Sequence, residues 1–117
     1  TRAQALEDGQ LVDVTECARE VGIKHPVAVT ARVWGEWIVP PERMKAHGQS
    51  ERGRGHDVVW LLRCAMGKAA AGAPDVRFAV LFQNRAGRGY TIGRFWATCG
   101  PGDNMEPVIT VMCTDED

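Results

Sequence analysis

VRFAVLFQN (76–84), RAGRG (85–89), YTIGRFWATC (90–99), GPGDNMEP (100–107) and VITVMC (108–113) follow one another through the last third of the chain. Three runs rich in Val, Ile and aromatic residues are joined by two loops rich in Gly and Pro. That pattern predicts a three-stranded antiparallel β-meander over about 76–113. In the first run Val76, Phe78, Val80 and Phe82 share one face, and Arg77, Ala79, Leu81 and Gln83 share the other. In the second, Tyr90, Ile92, Arg94 and Trp96 alternate with Thr91, Gly93, Phe95 and Ala97. Apolar side chains stand on both faces. Helices are expected to cover one face, and a partner or loop the other.

The segments before the meander read mostly as helix. Thr1 to Asp8 is predicted as a short helix stopped at Gly9, followed by an extended Leu11–Val14. Thr15 is placed to cap a helix over Glu16 to Val21, which Gly22 ends. Beyond Pro26, the residues Val29, Val33, Trp34 and Trp37 fall on one face at helical spacing, which predicts a helix up to Pro40-Pro41. The β-branched residues at 27, 29, 30 and 33 make a strand its competitor. Pro41 to His56 includes HGQSERGRGH, polar and glycine-rich with no apolar period, and reads as a mobile surface loop. From Asp57 a helix is expected, with Val58, Leu61, Leu62, Ala65 and Met66 as its core face, until Gly72 and Pro74 stop it. The fold class is therefore α+β, with N-terminal helices on a three-stranded sheet.

At 117 residues, with 44% hydrophobic and 25% charged residues, the chain fits one globular domain spanning 1–117. A net charge of -1 argues against a strongly basic nucleic-acid binder and against an acidic DNA mimic. The charge is uneven, however: from Arg43 to Arg94 there are ten Lys and Arg against Glu51, Asp57 and Asp75. No pair of the four cysteines, Cys17, Cys64, Cys99 and Cys113, has CxxC spacing, so a zinc ribbon or thioredoxin-type motif is excluded. Buried free thiols in a reducing cytoplasm are the simplest account of them. No signal peptide and no apolar run long enough to span a bilayer is legible, so a cytoplasmic location is expected. The chain opens on Thr1 and not on Met, which leaves room for a short native leader.

Chemistry is sparse. The CGPGDNMEP loop (99–107) sets two glycines around a proline and follows them with Asp103 and Glu106. A phosphate loop normally opens a helix and carries Lys; this one lies between strands and carries acids. Its plainest reading is a tight connection, and its sharper ones are a recognition loop or a divalent-ion site through Asp103 and Glu106. Cys99 would be a nucleophile only with a histidine beside it, and His47 and His56 sit in or next to the polar loop, leaving His25 as the third candidate. No set of metal ligands and no cofactor motif is legible. Trp34, Trp37, Trp60 and Trp96 read as packing residues.

TRAQALEDGQLVDV (1–14) and CGPGDNMEPVITVM (99–112), together with HPVAVTARVW (25–34) and DVVWLLR (57–63), resemble a family of small bacterial proteins of unknown function. Such proteins are encoded on plasmids, phages and other mobile elements. The resemblance implies a setting and no catalytic residues. It points to a non-enzymatic interaction protein that binds a host protein or complex and modulates host defence, of the anti-restriction or anti-CRISPR type. The partner-binding residues expected are Gly100, Gly102, Asp103 and Glu106 of the loop, with Arg85 and Arg88 at the hairpin tip. One alternative is a nucleic-acid-binding accessory protein using Arg52, Arg54 and Arg94 together with Arg85 and Arg88. Another is a small enzyme, cysteine-dependent, with Cys99 or Asp103 at its centre.

Overall fold

A computed structural model of the chain describes residues 1–69, 72–85 and 88–116, with 84, 85 and 88 described through their backbone. The five strands are β1 (Leu11–Asp13), β2 (Val27–Thr30), β3 (Asp75–Arg85), β4 (Arg88–Pro101) and β5 (Pro107–Cys113). They form one sheet in the order β1-β2-β5-β4-β3. β3, β4 and β5 pair antiparallel in sequence, β5 pairs parallel with β2, and β2 pairs antiparallel with β1. The α+β class is as the sequence implies. The sheet is larger than the expected three-stranded meander, and it is mixed.

The extra strands come from a segment read as helix. Val27, Ala28 and Val29 are buried and sit between β1 and β5, with Val27 opposite Ile109 and Val29 opposite Val111. A short apolar run with neighbours on both sides is the usual signature of an interior strand beside a parallel partner. Its β-branched residues suit that position and oppose a helix. Thr30 ends the strand, and its side chain accepts a hydrogen bond from the Val33 N–H (3.2 Å) to start α3 (Ala31–Val33). A π-helical turn follows over Trp34–Ile38, closed by a bond from Val39 N–H to the Trp34 carbonyl (2.9 Å). The predicted helix thus survives only from Ala31 onward.

The remaining helices are α1 (Arg2–Glu7), α2 (Thr15–Glu20), α4 (Glu42–Lys45) and α5 (Glu51–Lys68). Thr15 lies in the first turn of α2 rather than capping it; Val14 holds the cap position. The expected loop over 41–56 is also corrected, because it contains α4 and the first two turns of α5. Ser50 caps α5 through a bond from Gly53 N–H to its Oγ (3.0 Å). Gly53 and Gly55, near the start of the helix, each cost about 1 kcal/mol relative to Ala. Arg54 between them offsets that cost. It is 5% exposed, and its guanidinium donates to Gln49 Oε1 (3.1 Å), the Trp37 carbonyl (2.9 Å) and the Gln83 carbonyl (2.9 Å). It also lies 5.2 Å from the Phe82 ring centroid. One side chain therefore ties α5 to the π-helical turn and to β3.

The core lies between α5 and one face of the sheet. Phe95 is fully buried and meets Trp37 (5.8 Å), Phe78 (5.7 Å) and Phe82 (6.2 Å). Gly93 makes room for these rings: a Cβ there would stand 2.8 Å from atoms of both Phe82 and Phe95. Among the described residues no helix is long and apolar enough to cross a membrane.

Candidate interaction surface

The 99–107 loop is a tight connection built from its own atoms. Gly102 N–H donates to the Glu106 carbonyl (2.6 Å), Met105 N–H to the Gly102 carbonyl (3.0 Å), and Asn104 N–H to Glu106 Oε2 (2.9 Å). A Cβ at Gly102 would run into the Glu106 carboxylate, so a side chain there would have to displace Glu106 from its place in the loop. Gly100 pairs with Val108 in the β4–β5 ladder. Asp103 turns toward the chain's start, where its carboxylate accepts from the backbone N–H groups of Arg2 (2.9 Å) and Ala3 (3.0 Å). Those donors, Ala3 first and then Arg2, hold the Asp103 carboxyl below its ordinary range. Arg2 completes the tie by donating to Thr110 Oγ1 (2.7 Å) and the Ile109 carbonyl (2.9 Å). Gly102, Asp103 and Glu106 are thus spent on local structure and on anchoring α1. At the tip of the loop Met105 is 79% exposed and sits in the left-handed region at φ 64°.

Arg52, Arg54 and Arg94 lie apart from one another. Arg54 is interior, so it leaves the nucleic-acid set. Arg52 donates to Glu20 Oε1 (2.7 Å) and lines a cleft of about 330 Å³ shared with Asp13, Glu16, Glu20 and Glu51, an acidic setting that opposes phosphate. Arg94 is exposed on the sheet, opposite Ala79. The backbones of Arg85 and Arg88 pair across the hairpin end, and their side chains lie outside those described.

Cys99 and His25 line a common cavity of about 290 Å³ with Leu62, Met66, Val76 and Ile109. Among the described residues no hydrogen bond joins this thiol to an imidazole. His47 and His56 are exposed in the link after α4 and on α5. Among the described residues, no three His, Cys, Asp or Glu cluster as metal ligands would. Cys113 is buried, and burial, with Glu116 next, pushes its thiol up to about 11. Desolvation, followed by the charge of Glu20, also raises the Cys17 thiol.

The surface that stands out was not among the expected site residues. On the sheet face turned away from α5, Leu81 pairs with Ile92 and Gln83 with Tyr90. Leu81 is 58% exposed, Ile92 48% and Tyr90 65%. Arg94 and Arg77 flank them, opposite Ala79 and Trp96. Toward β5 the same face is closed: Met112 is buried opposite Trp96, whose Nε1 donates to the Cys113 carbonyl (3.1 Å), and Arg2 lies over Thr110. The signal for this patch was in the sequence, since apolar residues alternate on both faces of both strands.

Fold and surface define an α+β protein with a five-stranded mixed sheet, helices over one face and an uncovered apolar end on the other. The chain belongs to the family described as "Family of unknown function (DUF6573)", whose model matches residues 1–117. No curated protein and no solved structure matches it.

Proposed function

We infer that the chain is a non-enzymatic interaction protein whose uncovered sheet face docks on another protein. The observation that carries this reading is the cross-strand cluster of Leu81, Ile92 and Tyr90, apolar and solvent-facing at the open end of β3 and β4. Contiguous exposed apolar surface rimmed by charge is typical of protein contact sites. Tyr and Arg, both present here, are the residues that most often anchor such contacts. Following the resemblance to mobile-element proteins, we place the partner among host proteins, with host defence as the process affected.

The test is co-purification from a bacterial host lysate by the wild-type chain and by a chain carrying Leu81→Glu and Ile92→Glu. A stoichiometric protein recovered by the first and lost by the second is expected. The same recovery by both, or none by either, contradicts the reading. The nucleic-acid alternative has no comparable support, because Arg54 is buried and Arg52 faces carboxylates.

A further inference from the structure

β3 forms one border of the sheet and has a neighbouring strand on one side only. Which of its backbone groups point outward follows from the ladder. Cys99 N–H donates to the Pro74 carbonyl (3.0 Å), and the β3–β4 register continues from that pair through Gln83 opposite Tyr90. Antiparallel alternation then directs the N–H and C=O groups of Val76, Phe78, Val80 and Phe82 toward β4. Those of Asp75, Arg77, Ala79, Leu81 and Gln83 point to the open side. Gln83 agrees with this parity, because its carbonyl accepts from Arg54 Nη2 (2.9 Å). That contact closes the edge at one end. The outward backbone groups of Arg77, Ala79 and Leu81 have no partner among the described residues.

A groove of about 540 Å³ runs beside the free edge. Its walls include Leu61, Cys64 and Ala65 of α5 and Val76, Phe78 and Ala79 of β3. The three α5 residues are only half-buried, although they sit on the side of the helix nearest the sheet edge. An open ladder edge next to an apolar groove under a helix is the arrangement by which extended peptides are captured: main-chain bonds hold the segment, and every second side chain enters the groove. The charge around it is basic, with Lys68 and Arg77 at the groove and Arg94 one strand further in, against Asp75.

We propose that the partner adds an extended segment to the open edge of β3, with small apolar side chains entering the groove under α5 and acidic side chains alternating with them beside Arg77. This mode rests on the protein-binding reading above and adds to the exposed face a second contact along its bordering edge. A long uncovered edge is otherwise a pairing liability that proteins cover or blunt.

The test is selection of a phage library of random dodecapeptides on the full chain. Enriched peptides are expected to alternate acidic with small apolar residues. The bound peptide should slow amide exchange at Arg77, Ala79 and Leu81. Ala79→Pro removes one outward donor at an edge position where proline is tolerated, and should weaken binding at least about tenfold. Arg77→Glu keeps the donors and should switch the selected sequences from acidic to basic; it covers the case in which the proline variant fails to fold. No enrichment, or peptides that bind both variants as they bind wild type, overturns edge addition. If the lysate partner is nevertheless lost with Leu81→Glu and Ile92→Glu, the interaction reading stands and only its mode fails. A concentration-dependent dimer abolished by Ala79→Pro would show the edge to be used by a second copy, which also overturns the proposal.

Discussion

The two faces of the β3–β4 hairpin carry similar chemistry and meet different fates. On one, Phe78, Val80, Phe82 and Phe95 lie under α5 and the π-helical turn, and Val80, Phe82 and Phe95 are at most 3% exposed. On the other, Leu81, Ile92 and Tyr90 stand in the same two strands with roughly half or more of their surface in water. Alternation alone would make both faces core. The covering elements decide: α5 is long enough for one side, whereas α1 reaches only the β5 end of the other through Arg2 and Asp103. Trp60, Met66 and Met105 are exposed as well, but only Leu81, Ile92 and Tyr90 stand together on adjacent strands.

Mutations should separate the faces sharply. Phe95→Ala removes the ring at the centre of the aromatic cluster and should cost about 3–5 kcal/mol of stability by chemical denaturation. Arg54→Ala leaves the Trp37 and Gln83 carbonyls unpaired in the interior and should cost about 3 kcal/mol, with Arg54→Lys recovering little because one ammonium cannot reproduce the fork. Leu81→Ala and Ile92→Ala should stay within about 0.5 kcal/mol of wild type, as surface positions do. If the outer substitutions cost as much as Phe95→Ala, the outer face is core and the comparison collapses.

Thiol reactivity sharpens the same contrast between covered and open. Cys99 is exposed, whereas Cys113 is buried with its thiol raised to about 11. A disulfide reagent at pH near 8 should therefore label Cys99 in the native protein and Cys113 only on unfolding. Equal rates at both would mean that the surroundings of Cys113 are as open as the cavity that Cys99 lines.

The smallest expected effect concerns the loop. The Asp103 carboxyl is depressed from its ordinary 3.8 by the N–H groups of Ala3 and Arg2. A depressed folded-state value gives stability that is present above pH 3.8 and lost as pH falls below it toward the folded value. Asp103→Asn should flatten that acid limb of the stability curve by removing, at neutral pH, the small contribution that wild type loses only on acidification. An unaltered acid limb would show that the tie to α1 is not made by the carboxylate.

How much of this was legible follows the range of the interactions. The strands at 76–82 and 90–97 announce themselves by runs of Val, Ile and aromatic residues, a local signal, and their antiparallel order follows from the loops between them. β2 does not, because Val27 to Thr30 fits a helical face as well as a strand. What fixes it is pairing with Ile109 and Val111, far along the chain. The start of α5 is hidden for another reason. Its buried contact is an arginine between two glycines, so no apolar period marks it. The loop residues were rightly seen as distinctive, but Asp103 owes its place to Arg2 and Ala3, a contact no local pattern reveals. The exposed patch was visible as apolar residues on two faces; that only one face would be covered depended on α5.

The central claim is that the Leu81–Tyr90–Ile92 face contacts another protein. A photo-crosslinking residue placed at Tyr90, compared with one at His56 on the solvent side of α5, tests it in host cells. The account predicts a discrete protein adduct from position 90 and none from position 56. No adduct from 90, or the same adducts from both positions, would contradict it.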